Sequence, residues 1–174
     1  MTGQTAAVGC LMSAVAFEKY KQVVYLLLLD FQFVEELLKI VTASSYEIIR
    51  RSIPAHIQFR PSRRDLEKES LGKLIRKYEE VSGNASLASK LKALVGERNF
   101  CAHRAFVLTF EEQQDLTFLE HESVRLAMLR ERSRECVIGL QEEWRMLAKD
   151  LHESDRMTAE REAPTSIIEP FPEV

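Results

Sequence analysis

The sequence is poor in the residues that break regular structure. Six glycines and five prolines in 174 residues are too few for a turn-rich β domain and suit a chain built from helices. The three cysteines, Cys10, Cys101 and Cys136, are odd in number and scattered, with no Cys-x-x-Cys pair. That pattern excludes a disulfide framework and the usual zinc spacings, and it points to a reduced, cytoplasmic compartment. The most apolar run, Val23 to Leu29, falls far short of the roughly 20 residues that span a bilayer. Met1-Thr2-Gly3-Gln4 lacks the basic start of a signal peptide, so no membrane partner is expected. Internal repeats, strand-period segments and a glycine-rich phosphate loop are also missing. None of His56, His103, His121 and His152 follows a glutamate by three residues, so the Glu-x-x-His pairs of di-iron bundles are absent. Neither a metal nor a cofactor is expected.

What is present is helical periodicity. From about Val15 to Arg51, the series Tyr20, Val24, Leu27, Phe31, Val34, Leu38 and Val41 alternates steps of four and three, which predicts a long helix at the centre of the core. Ser62 with Asp65 resembles a capping box opening a helix through Leu66, Leu71, Leu74, Ile75, Tyr78 and Val81, which ends at Ser82-Gly83. Asn84 is placed to cap the next helix, with Leu87, Leu91, Leu94 and Val95 facing inward. After a link around Thr109 and Phe110, a second long helix is expected from about Glu112 to Leu151. Its inward series is Leu119, Leu126, Val137, Leu140, Trp144, Leu147 and Leu151, interrupted by Ser123, Arg130 and Ser133. The interruption predicts a bend, a groove or an end that outruns the core. These elements predict an all-α bundle over residues 1–151. Residues 152–174, acidic and proline-bearing, read as a disordered tail whose closing Ile167 to Val174 has the character of a docking peptide.

The net charge of -3 conceals an uneven distribution. Residues 50–104 carry 13 basic against 6 acidic residues, and residues 105–174 carry 8 against 16. A mildly acidic chain with a basic belt can still attract a polyanion locally. Within the belt, residues 50–64 hold five arginines, two prolines and no acid. Arg60, Arg63 and Arg64, together with Arg104, are candidate contacts to an RNA backbone, and Phe59 is a candidate platform for a base.

The chemistry concentrates in Glu97-Arg98-Asn99-Phe100-Cys101-Ala102-His103-Arg104. Arg98 continues the apolar stripe Leu87, Leu91, Leu94, so it either enters a packed interface or carries its guanidinium round to the histidine. Asn99 and His103 are one turn apart on a helix, whereas Arg98 and His103 diverge by roughly 140°. Arginine holds phosphate oxygens bidentately, histidine titrates near neutrality, and an amide can orient either the imidazole or a ligand. The plainer reading is that basic residues near a helix C-terminus answer the macrodipole and the free carbonyls. Cys101 reads as a small packed hydrophobe. Gly96, in mid-helix, predicts a kink or close approach by another backbone.

Arg98-Asn99-Phe100-Cys101-Ala102-His103 resembles the signature of the HEPN superfamily (higher eukaryote and prokaryote nucleotide-binding domains): an arginine, commonly a polar residue, a short spacer, then a histidine. The helical framework over roughly residues 15–151 is similar too, including Phe31 to Lys39 and Leu71 to Ile75. The resemblance implies a four- to five-helix up-and-down bundle with two long helices, pairing as a homodimer through the motif face. It also implies a metal-independent endoribonuclease, serving as the toxin of a toxin-antitoxin pair or in antiviral defence. By position, Arg98 would stabilise phosphate, His103 would be the acid or base, and Asn99 would support them. An antitoxin or other regulatory protein would be a further partner. In one branch of the family a tyrosine two residues past the histidine is modified by the antitoxin; Ala105 stands there, so that mode of silencing is not expected. The alternative is a non-catalytic helical module that binds a protein partner or a nucleotide.

Overall fold

The computed structural model describes the backbone of residues 2–162 and the side chains of residues 12–156. Five α-helices follow in order: α1 (Thr2–Ser52), α2 (Leu71–Glu79), α3 (Ala85–His103), α4 (Phe110–Gln114) and α5 (Leu116–Glu162), with one 3-10 turn at Arg63–Asp65. No strand occurs among the described residues, so the chain is all-α as its periodicity predicts. At ~1.5 Å per residue, α1 and α5 are each about 70 to 75 Å long and form the frame on which the shorter helices lie.

The three-four series on α1 is the core. Tyr20, Val24, Leu27, Phe31, Val34, Leu38 and Val41 are all buried, each contributing roughly 1.5–3 kcal/mol relative to an exposed side chain. On α5 the facing seam is Leu119, Leu126, Leu129, Ser133, Cys136 and Leu140, all buried. The expected polar gap is therefore not a gap. Ser133 and the thiol of Cys136 are small enough to sit in the seam, and Arg130 leaves it to pair with Asp30 of α1 at 2.8 Å. Trp144, expected to face inward, is instead 43% exposed, because the seam runs through the neighbouring register.

Cross-links along the frame set its direction. Ser13 Oγ donates to Gln114 Oε1 at 2.9 Å, Arg130 meets Asp30, and Arg51 bonds Asp155. The Gln114 bond is to α4, but from Asp30–Arg130 to Arg51–Asp155 positions rise together on the two long helices, so α1 and α5 run parallel. Helix α3 runs against both, with Arg98 beside Glu35, Ala105 beside Tyr20, and Lys90 beside Glu135. The strict up-and-down alternation expected from the resemblance is thus broken. The connection between α1 and α2 crosses back along the bundle, so two successive helices can point the same way.

Local signals explain the boundaries. The Asp65 carboxylate accepts from the Ser62 N–H and hydroxyl, both at 2.8 Å, but this box closes only a 3-10 turn, and the regular helix begins at Leu71. Buried Leu66 anchors the intervening segment. Asn84 caps α3 as expected, its side chain accepting from the Leu87 N–H at 3.1 Å. Thr109 and Glu112 form a reciprocal box at the start of α4. Asp115, in extended conformation, then separates α4 from α5, so the anticipated link holds a short helix of its own. Helix α5 continues through His152 to Glu162, in place of the disordered tail expected from residue 152; Ile167 to Val174 lie outside the described residues. Gly96 lies inside the continuous helix α3 and meets no other backbone: nothing lies within 4 Å of where its Cβ would be. The close approach is at Gly139, where a methyl would stand 3.0 Å from Leu87 Cδ1.

Candidate functional site

Helix α3 carries Leu87, Leu91 and Leu94 into the core, and the next position on that stripe is Arg98. Its side chain, one-third exposed, emerges at the rim of the core, where Nε donates to Glu35 Oε1 of α1 at 3.0 Å. The charge beside apolar packing is therefore answered from within the chain. The bond uses the Nε edge of the guanidinium, which orients the group without consuming both terminal nitrogens.

Asn99 and His103 are both exposed and lie one turn apart from each other, on a different side of α3 from Arg98. The helix stops just beyond them. The Arg104 and Ala105 N–H groups both return to the Phe100 carbonyl, at 2.8 and 3.2 Å, and the Tyr20 hydroxyl donates to the Ala105 carbonyl at 2.6 Å. This last bond, made inside the core by a side chain 1% exposed, ties the end of α3 to α1. Burial raises the Tyr20 pKa to about 12. Ala105 is itself fully buried. Cys101 is also buried, and burial pushes its thiol up to about 11, so it stays protonated at neutral pH and does not act as a nucleophile there.

An open groove flanks His103 on the side away from Arg98. His103 and Arg104 lie on one wall, and Val107 and Leu108 of the following connection contribute an apolar edge. The opposite wall is α5, where Arg125 is held in a cage that sequence spacing did not reveal. Its Nη1 donates to Glu97 Oε2 at 3.0 Å, its Nε to Glu122 Oε1 and Oε2 at 3.2 and 3.1 Å, and its Nη2 to Glu122 Oε2 at 3.0 Å. The guanidinium carbon lies 4.9 Å from the centre of the Phe100 ring. Burial lowers the Arg125 pKa, but the bonds from Glu122 and Glu97 outweigh it and leave the group more firmly cationic than usual. The spacing of Glu122 and Arg125 is visible in the sequence as a helical i, i+3 pair; Glu97 and Phe100 join them only because α3 lies across α5.

Arg98 and Asn99 do not line this groove. The chain thus presents Arg98, Asn99 and His103 as a strip around the end of α3, with the arginine and the histidine on different flanks. Of the four arginines expected to grip RNA, only Arg104 is beside His103. Arg60, Arg63 and Arg64 are exposed on the far connection, where Arg50 donates to the Pro61 carbonyl at 2.9 Å. About 45 Å of α1 separates Tyr20 from Arg50 at ~1.5 Å per residue. Phe59 is packed edge-on against Tyr46, with ring centres 5.7 Å apart, so it is committed to the protein and not free to stack on a base.

Among the described residues there is no group of three His, Cys, Asp or Glu side chains that could hold a metal ion, and no helix is long and apolar enough to cross a membrane. No protein-family model, curated protein or solved structure matches the chain.

Proposed function

We propose that this protein is a metal-independent endoribonuclease of HEPN type, acting as a homodimer through the α3 face, in the role of a toxin or an antiviral defence component. The observation that carries the reading is the exposed strip Arg98, Asn99, His103, whose arginine is pre-oriented by Glu35 while its histidine stands free at a groove. A cation aimed by a carboxylate on another helix is preorganised for a phosphate, since the ligand need not bear the full entropy of ordering it.

Cleavage begins with attack of a ribose 2′-oxygen on the adjacent phosphorus. A base removes the 2′-hydroxyl proton, the P–O5′ bond breaks, an acid protonates the departing O5′, and a 2′,3′-cyclic phosphate remains. One chain supplies a single suitably placed histidine, His103. A two-fold axis beside the strip supplies two, one for each proton transfer, and brings the Arg98 of one copy toward the His103 of the other. Arg98 answers the charge that builds on the phosphate oxygens, Asn99 orients the imidazole or a phosphate oxygen, and Arg104 holds the flanking backbone. A regulatory protein that covers the strip would silence the enzyme.

One observation favours the alternative of a non-catalytic module binding a protein or nucleotide: the Arg98 charge already has a partner in Glu35, as a purely structural arginine would. The deciding experiment is cleavage of a defined RNA in EDTA by the purified protein, with product ends identified. The ribonuclease reading expects a 2′,3′-cyclic phosphate and a loss of at least about two orders of magnitude in His103→Ala with RNA affinity retained. Cleavage only with added Mg²⁺, or equal cleavage by His103→Ala, rejects it.

A further inference from the structure

The groove beside His103 is shaped and charged unlike a phosphate site. Glu97 and Glu122 together outweigh the charge of Arg125, so this part of the groove does not attract an anion, while His103 and Arg104 form the opposite wall. In Arg125, Nε, Nη1 and Nη2 all give bonds to Glu97 and Glu122, and although two of the five N–H donors remain, the two carboxylates beside them repel phosphate oxygens. What those bonds leave is a plane. The guanidinium carbon lies 4.9 Å from the centre of the Phe100 ring, and a third of the side chain stays exposed where the residue borders the groove; that exposed part is the surface available to a flat, uncharged ring. Guanidinium planes and aromatic rings are the platforms on which splayed RNA bases stack.

We infer that this groove is a nucleobase subsite, that Arg125 is its stacking platform, and that the base it takes is guanine. Glu97 gives Oε2 to Arg125, leaving Oε1 and further lone pairs as acceptors at the mouth of the groove. A carboxylate matches two adjacent N–H donors, which is what the N1–H and N2–H edge of guanine presents; uracil offers one donor between two carbonyls that a carboxylate repels. Phe118, Val107 and Leu108 cover the rest of the ring. The subsite rests on the ribonuclease reading for its polymeric substrate, since it holds one base while the adjoining phosphate lies at His103. Arg125 and Glu97 are binding and positioning residues and take no part in proton transfer.

The test is equilibrium binding of guanosine, adenosine and uridine 3′-monophosphates and of inorganic phosphate to the full-length protein, by titration calorimetry. Guanosine 3′-monophosphate should bind about tenfold or more tightly than the uridine nucleotide, given the usual worth of a hydrogen bond to a charged group. Arg125→Lys keeps a cation between Glu97 and Glu122 but removes the plane, and it should weaken all three nucleotides by about tenfold relative to inorganic phosphate. Glu97→Gln should lower the preference for guanosine over adenosine. Equal binding of guanosine and uridine nucleotides overturns the subsite, as does a preference that survives both substitutions. Adenosine binding as tightly as guanosine overturns the guanine assignment. Base discrimination without RNA cleavage supports the subsite and sinks the ribonuclease reading alone; cleavage without discrimination does the reverse.

Discussion

Arg98 of α3 donates through Nε to Glu35 Oε1 of α1 at 3.0 Å, across 63 positions of sequence. The pair places a fixed cation at the point where the apolar stripe of α3 reaches solvent. On the proposed ribonuclease reading, in which Arg98 binds phosphate, the carboxylate has two opposed effects: it orients the guanidinium, and it repels the ligand.

The two effects separate in Glu35→Gln. Removing the negative charge should leave RNA binding as tight or tighter, while loss of the charge-assisted bond should lower kcat about tenfold through misorientation. Steady-state kinetics on a short RNA would read the split. Arg98→Lys should fail to restore activity in either background, because a point charge does not reproduce a planar fork. A kcat unchanged in Glu35→Gln would show that Glu35 does not aim the arginine.

Tyr20 and Ala105 predict a pH dependence. The phenol has an ordinary value of 10.0 and is raised to about 12 by burial in the fold. The folded protein therefore keeps this proton after the unfolded chain has released it. The contribution is full below about pH 10 and disappears as pH rises through about 12. Cys101 and Cys136, each pushed by burial from 9.0 up to about 11, act in the same direction. Tyr20→Phe should cost about 1–3 kcal/mol at neutral pH, since it strands the buried Ala105 carbonyl. It should also give a shallower fall in stability between pH 10 and 12, measured by urea titration at each pH. An unchanged slope would exclude Tyr20 as a source of alkaline unfolding.

The distance between Arg104 and the Arg60, Arg63, Arg64 group makes a prediction about substrate length. Replacing the latter three with alanine should leave cleavage of a short oligonucleotide intact, because their connection is held at Tyr46 and Arg50 whereas the end of α3 meets Tyr20. Binding of a long RNA should weaken and lose part of its salt dependence. Equal loss on short and long substrates would mean that the far connection reaches the strip of a second copy.

Gly96 and Gly139 should respond differently to the same substitution. Gly96→Ala adds a methyl that meets nothing within 4 Å and gains helix propensity of up to ~1 kcal/mol, or about 2–4 °C in Tm for a domain of this size. At Gly139 the same gain is opposed by Leu87 Cδ1 at 3.0 Å, so Gly96→Ala should melt at the higher temperature of the two. The reverse order in a thermal scan would contradict the packing of α3 on α5.

The sequence by itself determined the class of this protein and the inner face of its first helix, because those follow from a local period. Tyr20 to Val41 are buried where the three-four spacing puts them, and Asn84 caps where an amide precedes a helix. The same reasoning reads hydrophobicity alone, so it missed Ser133 and Cys136 in the α5 seam and sent Trp144 inward. It also ended α5 at Leu151, eleven residues before Glu162, since an acidic stretch has no apolar stripe to announce a helix. Tertiary structure alone decided that α1 and α5 run parallel, because direction depends on how the long connection crosses back. It alone chose between two outlets for the Arg98 guanidinium, sending it to Glu35. It assembled Arg125 with Glu97, Glu122 and Phe100, and it set Arg60, Arg63 and Arg64 apart from His103. Each of these joins residues far apart in the chain, and a pairwise contact at that separation leaves no period for a sequence to display.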